Sequence, residues 1–317
     1  MEVFVRPDVR AFLAFLNAAP GPRMHQMDTA QARQSLRAIK DIADLPLGPL
    51  GAIIDVSIPG PAGDLPARLF DARAARDAGP MVVFFHGGGF VIGDLDTHAS
   101  FCAEMARALD LPVLAVDYRL APEHPWPSAP QDCVAAAHWA ASAPQGLPRT
   151  VTSLVLCGDS AGGNLAIVTA MALRDTPAAV PVIGHLLFYP ATDGTRDYPS
   201  LIDFESGYLL DRASLAWFRD AYRADQHDLR ASPLAGVSGG MPPAVILTAG
   251  LDPIRDQGRA YAAALPQAGV PVTFREAAGM VHGFVTLRQA LPSAVADCAG
   301  AFAAAKTMIA EHTSPRA

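Results

Sequence analysis

Three residues of this chain have the types and surroundings to do acyl chemistry: Ser160 between two glycines, Asp252 just past an apolar run, and His282 in a late glycine-flanked stretch. A serine hydroxyl is a weak nucleophile at its ordinary pKa. It needs a base to take its proton and an acid residue to orient that base. The local pattern Gly158-Asp159-Ser160-Ala161-Gly162 is G-x-S-x-G, in which the serine sits on a sharp turn from strand to helix. The apolar block Leu154 to Cys157 is short enough for a buried strand, and helix formers follow from Ala161. On such a turn the N–H of Ala161 and the positive end of the helix dipole lie beside any negative charge formed at the serine. The glycines are expected for steric reasons, because a Cβ two residues either side of the serine would collide with the neighbouring strand or helix. Alone the pattern is weak, since a serine flanked by glycines is more often an ordinary turn.

A second constellation lies upstream. Met81 to Phe85 reads as a buried central strand and runs into His86-Gly87-Gly88-Gly89. Three glycines in a row leave the backbone bare, so the N–H groups of Gly88 and Gly89 can turn toward a substrate oxygen that gathers charge. One such donor contributes about 10²- to 10³-fold in rate. A phosphate-cradling loop would need a helix directly at the glycines, whereas Phe90-Val-Ile-Gly reads as extended. Asp256 is the rival to Asp252, but it falls inside the predicted helix after the strand. His98, His138 and His185 read as packed or capping residues, and His86 as a brace for the glycine loop. The trio Asp117, Arg119 and Glu123 reads as a salt-bridged brace, because an arginine among carboxylates holds them ionised.

The elements that must position these groups alternate between short apolar runs and helical patterns, which is an α/β arrangement. Strands are predicted at Leu111 to Tyr118, Val182 to Phe188, Ala244 to Thr248 and Val270 to Phe274, with an edge hairpin between Ala52 and Phe70. Helices are predicted from Phe101 to Leu109, Gln131 to Ala141, Ala213 to Arg223 and Ala294 to Glu311. The 317 residues suit one catalytic domain with a lid. The expected division is residues 1–45 as the N-terminal part of a cap, 46–194 and 231–317 as the core, and 195–230 as a cap insertion. Phe15, Leu209 and Trp217 are cap residues that either line a pocket or pack on the body.

Hydrophobic residues make up 51% of the chain and charged residues 17%, which argues against disorder. The formal charge of -7 and the lack of a basic cluster exclude nucleic acid as an expected partner. No apolar run is long enough to span a bilayer, and the start has no basic and apolar leader, so a cytoplasmic location is expected. Cys102, Cys133, Cys157 and Cys298 lack C-x-x-C spacing and read as buried thiols, implying no structural metal.

The order Ser160, Asp252, His282 along the chain is that of an α/β-hydrolase. In its motif blocks the chain resembles the hormone-sensitive lipase family, in the bacterial esterase branch. Those blocks are HGGGFVIGDLDTH (86–98), DYRLAPEHPWPSA (117–129), GDSAGGNLA (158–166), YPATD (189–193), GLDPIRDQG (250–258) and GMVHGF (279–284). The resemblance covers residues 80 to 285, and its catalytic blocks show no departure from the family pattern. The chain is less typical at Pro266 and at Ala277-Ala278. The resemblance implies a mostly parallel central sheet under a helical cap. It implies Ser160, Asp252 and His282 as triad, and Gly88, Gly89 and Ala161 as oxyanion donors. It further implies a serine carboxylesterase that needs no cofactor and acts on small esters of short or medium acyl chains. A ligand receptor on the same fold and an amidase or peptidase are the alternatives; the first is disfavoured by the retained His282. The oligomeric state is open, with a homodimer as one assembly.

Overall fold

The computed structural model describes residues 3–313. Eight strands are β1 (Ala52–Gly60), β2 (Gly63–Asp71), β3 (Gly79–Phe85), β4 (Val113–Val116), β5 (Val151–Asp159), β6 (Val182–Phe188), β7 (Ala244–Leu251) and β8 (Val272–Val281). They form one sheet in the order β1-β2-β4-β3-β5-β6-β7-β8. The first hairpin runs antiparallel at the edge, and β2 is antiparallel to β4; every other pairing is parallel.

Helices cover both faces, which is why the central strands are apolar throughout rather than alternating. Within β3 the side chains still alternate between two cores. Val82 and Phe84 join the cluster under α3 (Ala99–Leu109) and α9 (Ala294–Thr313). Met81, Val83 and Phe85 join the one under α4 (Ser128–Ala141), α5 (Ala161–Asp175) and α8 (Arg255–Gln267). The edge strand β1, covered on one side, alternates between exposed and half-buried positions along most of its length.

Several predicted strands differ in extent, β4 and β8 among them. β4 is shorter than the expected run from Leu111 to Tyr118, because β3 and β2 pair with it only over residues 113 to 116. β8 begins two residues later than expected and continues to Val281, so that Ala277 and Ala278 lie within it. The cause is β7, which pairs on from Ala249 with Ala277 and, past a register shift, from Leu251 with Val281. His282 therefore follows a strand end directly. Pro266 lies in the last turn of α8, which ends one residue later.

The N-terminal segment consists of α1 (Pro7–Ala18), α2 (Thr29–Ala43) and a single turn between them. Asp28 caps α2 by accepting from the N–H of Gln31 at 2.8 Å. The segment is fastened at both ends. Arg6 pairs with Asp297 at 2.6 Å, and the fully buried Arg288 grips Asp44 through two bonds of 2.8 Å. Between β6 and β7 lie two more helices, α6 (Pro199–Asp203) and α7 (Arg212–Tyr222). The four cysteines are free and buried, as their surroundings in the sequence led us to expect.

His185 on β6 is wholly buried, and neither ring nitrogen has a hydrogen-bond partner among the described residues. Burial pushes its pKa down to about 3. Its folded pKa lies below the ordinary value, so the unfolded chain binds the extra proton as pH falls, and stability drops with it. His86 acts in the same sense at about 4, through burial and then the neighbouring charge of His98. Asp117 opposes them: burial, and then the charge of Asp94, raises it to about 6, which adds stability as pH falls. With two histidines against one carboxyl, these groups together make stability fall from about pH 6.5 downward. Replacing His185 with Leu removes one of the two. Denaturant titration should show the loss between about pH 6.5 and 5 smaller in His185→Leu by about 2 kcal/mol, with an unchanged slope refuting the account.

Candidate active site

All the candidate groups lie at or just past the carboxyl ends of strands, where open α/β sheets bind ligands. Ser160 follows β5 and precedes α5, with φ 54° and ψ -116°. A non-glycine residue in such a conformation costs on the order of 1–3 kcal/mol and persists only if its surroundings hold it. Here the N–H of Ser160 donates to the Phe188 carbonyl at 2.9 Å, and its own carbonyl accepts from Asn164 at 3.1 Å and Ala191 at 3.2 Å. The flanking glycines serve the expected purpose. A Cβ on Gly158 would overlap the carbonyl of Gly162, and one on Gly162 would overlap the carbonyl of Phe85 on the neighbouring strand.

The hydroxyl of Ser160 is 2.8 Å from Nε2 of His282, and Nδ1 of His282 is 2.7 Å from Oδ2 of Asp252. Asp252 has no exposed surface, and its other oxygen accepts the N–H of Ile254 at 2.8 Å. Three residues from β5, β7 and β8 thus form one hydrogen-bonded line. Such a line can draw the proton from the serine and hold the resulting imidazolium. Asp256 stands elsewhere: it lies in the first turn of α8, bonded to Arg255, Arg259 and the N–H of Ser200.

The glycine loop is ordered peptide by peptide. The carbonyl of His86 accepts the Tyr118 hydroxyl at 2.7 Å, and the N–H at the other side of that peptide, on Gly87, donates to Asp159 at 2.7 Å. Nδ1 of His86 lies 2.7 Å from the Gly87 carbonyl, and its low pKa keeps the ring neutral at pH 7, with Nδ1–H as donor. The Gly88 carbonyl accepts from Val91 at 3.0 Å and Ile92 at 2.9 Å. A planar trans peptide points its N–H opposite to its carbonyl. Fixing the Gly87 and Gly88 carbonyls therefore aims the N–H groups of Gly88 and Gly89, which have no acceptor within the described residues. The N–H of Ala161 at the start of α5 is likewise unclaimed. Gly88 has φ 115° and Gly89 φ 60°, backbone that favours glycine.

The inserted helix α7 closes over this loop. The Phe218 ring occupies the space that a Cβ on Gly89 would need, and Tyr222 stacks on Phe90 with ring centroids 3.9 Å apart. Trp217 packs edge-on against Phe218, whereas Phe15 is 75% exposed.

His86 braces the glycine loop as expected, stacked on Tyr118 at 4.4 Å. The Asp117, Arg119, Glu123 brace is not formed. Arg119 makes a bidentate pair with Asp132 on α4, Glu123 pairs with Arg33 of α2, and burial and the charge of Asp94 push the Asp117 pKa up to about 6. Proximity along a loop says little about where long side chains reach: Arg119 and Glu123 each pair with a residue on another element. His98 caps no helix through its side chain; its Nε2 lies 3.4 Å from Asp159. Asp159 and Tyr189, both close to the triad, were not singled out from the sequence, although they stand inside the GDSAGGNLA and YPATD blocks.

A family model described as the alpha/beta hydrolase fold matches residues 82–286, which contain every residue of the site. The chain belongs to the α/β-hydrolases. Within that superfamily its relatives place this α/β-hydrolase in the hormone-sensitive lipase-like family. Carboxylic ester hydrolase LipN of Mycobacterium tuberculosis is 44% identical over 250 residues, 75% of this chain and 65% of LipN. The ethyl acetate hydrolase of Pseudomonas putida is 36% identical over 301 residues, 89% of this chain and 92% of that protein. Among solved structures, an ester-hydrolase from the metagenome of Lake Arreo, complexed with a bipyridine phosphonate derivative, superposes with a TM-score of 0.91. It is 34% identical to this α/β-hydrolase and covers 96% of it and 99% of itself.

Proposed function

We propose that Ser160, His282 and Asp252 hydrolyse carboxylic esters through an acyl-enzyme, with Gly88, Gly89 and Ala161 as oxyanion donors. The chain is a serine carboxylesterase, in keeping with its named relatives. The observation that carries the residue roles is the unbroken line from Asp252 through His282 to Ser160, at 2.7 and 2.8 Å. In the first half-reaction Oγ of Ser160 attacks the ester carbonyl carbon while its proton passes to Nε2 of His282. The tetrahedral oxygen takes up the negative charge and is met by the three free N–H groups. Collapse expels the alcohol, which leaves with the proton from His282, and the acyl group stays on Ser160. Water then repeats the cycle: His282 takes its proton, and the acid departs as the serine regains a hydrogen.

The proposal takes residues 1–45 and 195–230 as a cap over this site. The packing of Phe218 and Tyr222 onto the glycine loop supports it, as does the anchoring of the N-terminal segment at Arg6 and Asp44. It takes small esters of short or medium acyl chains as substrates, and a cytoplasmic location in view of four unpaired thiols. No helix among the described residues is long and apolar enough to cross a membrane. Incubation with a p-nitrophenyl phosphonate ester tests the roles. One equivalent of p-nitrophenol should be released, with one phosphonyl group found on the peptide bearing Ser160. Label on any other residue, or turnover unaffected by labelling, refutes the assignment.

A further inference from the structure

Asp159 is used by no step of the reaction above, yet it is a buried carboxylate beside the nucleophile. Its Oδ1 accepts the N–H of Gly87 at 2.7 Å and lies 3.4 Å from Nε2 of His98; its Oδ2 accepts the Tyr189 hydroxyl at 3.4 Å. The Tyr189 ring in turn packs against His282, with centroids 4.6 Å apart. Building on the esterase reading, we propose that Asp159 is a positioning residue: its carboxylate holds the His86–Gly87 peptide at the start of the loop and so, together with the bonds on the Gly87 and Gly88 carbonyls, sets the direction of the oxyanion-binding N–H groups of Gly88 and Gly89.

The need for such a group follows from the chain. Gly87, Gly88 and Gly89 have no side chains to restrict their backbone, and free rotation there would let a carbonyl face the developing charge in place of an N–H. β3 and β5 are paired through Phe85 and Gly158, so the next residue on β5 is beside the start of the glycine loop. Asp159 stands there, and a Cβ on Gly87 would overlap its carboxylate, which leaves the N–H as the face presented to it. A charged acceptor holds an N–H more strongly than a neutral one, the more so away from water. Burial by itself would raise the pKa of this carboxyl. The charge of His98, its hydrogen bond and that of Gly87 outweigh burial and hold the pKa below the usual range. The carboxylate is thus ionised and anchored on one side by His98, with Gly87 on the other.

The test compares Asp159→Asn, which keeps the shape and a neutral acceptor, with Asp159→Leu, which keeps the shape and removes the acceptor. Ser160→Ala serves as control. Each is assayed with p-nitrophenyl butyrate for kcat and KM, for inhibition by phenylboronic acid, and for folding by circular dichroism. A misdirected N–H is felt where charge develops. On this account kcat falls about tenfold in the Asn variant and about a hundredfold in the Leu variant. KM stays within about threefold, and affinity for the boronate, which forms a tetrahedral adduct, falls in step with kcat. A mere loss of folded enzyme would also lower kcat at unchanged KM, but it would leave the boronate affinity of the remaining sites at the parental value, so the boronate readout separates the two. Should the Leu variant not fold, the Asn variant carries the test. A folded Asn variant with kcat within about threefold of the parent overturns the positioning role, as does a loss of kcat with parental boronate affinity. Parental turnover in Ser160→Ala would instead overturn the esterase reading itself.

Discussion

Replacing Ser160 with Ala lowers kcat for p-nitrophenyl butyrate by about 10⁵- to 10⁶-fold while leaving the fold in place. The substitution deletes one oxygen atom and nothing that shapes the elbow. Alanine has the same Cβ, and the backbone bonds to Phe188, Asn164 and Ala191 do not involve the side chain. The glycines and helix α5 around it are untouched, so thermal unfolding should shift by no more than the ordinary scatter of a surface substitution, about 0.5 kcal/mol. What remains is catalysis by the N–H donors and by binding, which in triad hydrolases is a residual of about 10³ to 10⁴ over water. Turnover within tenfold of the parent, in protein shown to be free of wild-type contamination, would remove Ser160 from the mechanism.

Asp252→Asn should lower kcat by about 10⁴-fold, and the reason lies in the two oxygens of Asp252. One accepts the N–H of Ile254 at 2.8 Å and the other faces Nδ1 of His282 at 2.7 Å. An asparagine keeps the first bond only by turning its oxygen to Ile254, which points its NH₂ at His282. The imidazole must then accept at Nδ1 and carry its proton on Nε2, the nitrogen that has to receive the serine proton. The tautomer is wrong although every atom is in place. Steady-state kinetics measures the loss, and ¹⁵N chemical shifts of the His282 ring report the tautomer. A parental rate with Nδ1 still protonated would refute this account. Asp256→Asn is the matched control. Its carboxylate serves Arg255, Arg259 and Ser200, so kcat should change by less than about threefold.

The candidate site is largely legible in the sequence because its requirements are local. A serine on a tight turn needs small residues at 158 and 162, and donors made of bare backbone need the glycines at 87 to 89; both leave their mark in consecutive residues. Ser160 and Asp252 could be proposed because each follows on an apolar strand run, and His282 because it lies in the glycine-flanked stretch after the last such run; strand ends in a parallel sheet share one rim. Element identity was legible for the same reason, since hydrophobic periodicity is a property of neighbouring residues.

By itself, then, the chain's order of residues determined the α/β class, the tight turn at Ser160, the bare glycine loop at 87–89 and the order Ser160, Asp252, His282. Tertiary structure alone decided which charges meet, as with Arg119 and Asp132 rather than Asp117 and Glu123. It also decided where β8 ends, because that depends on pairing with β7. And it seated Asp159 between Gly87 and His98, which are 72 and 61 positions away along the chain. The physical reason is range. Backbone sterics and strand or helix preference act between neighbours and are written in short stretches, whereas ion pairs and buried hydrogen bonds form between whichever groups folding brings within about 3 Å.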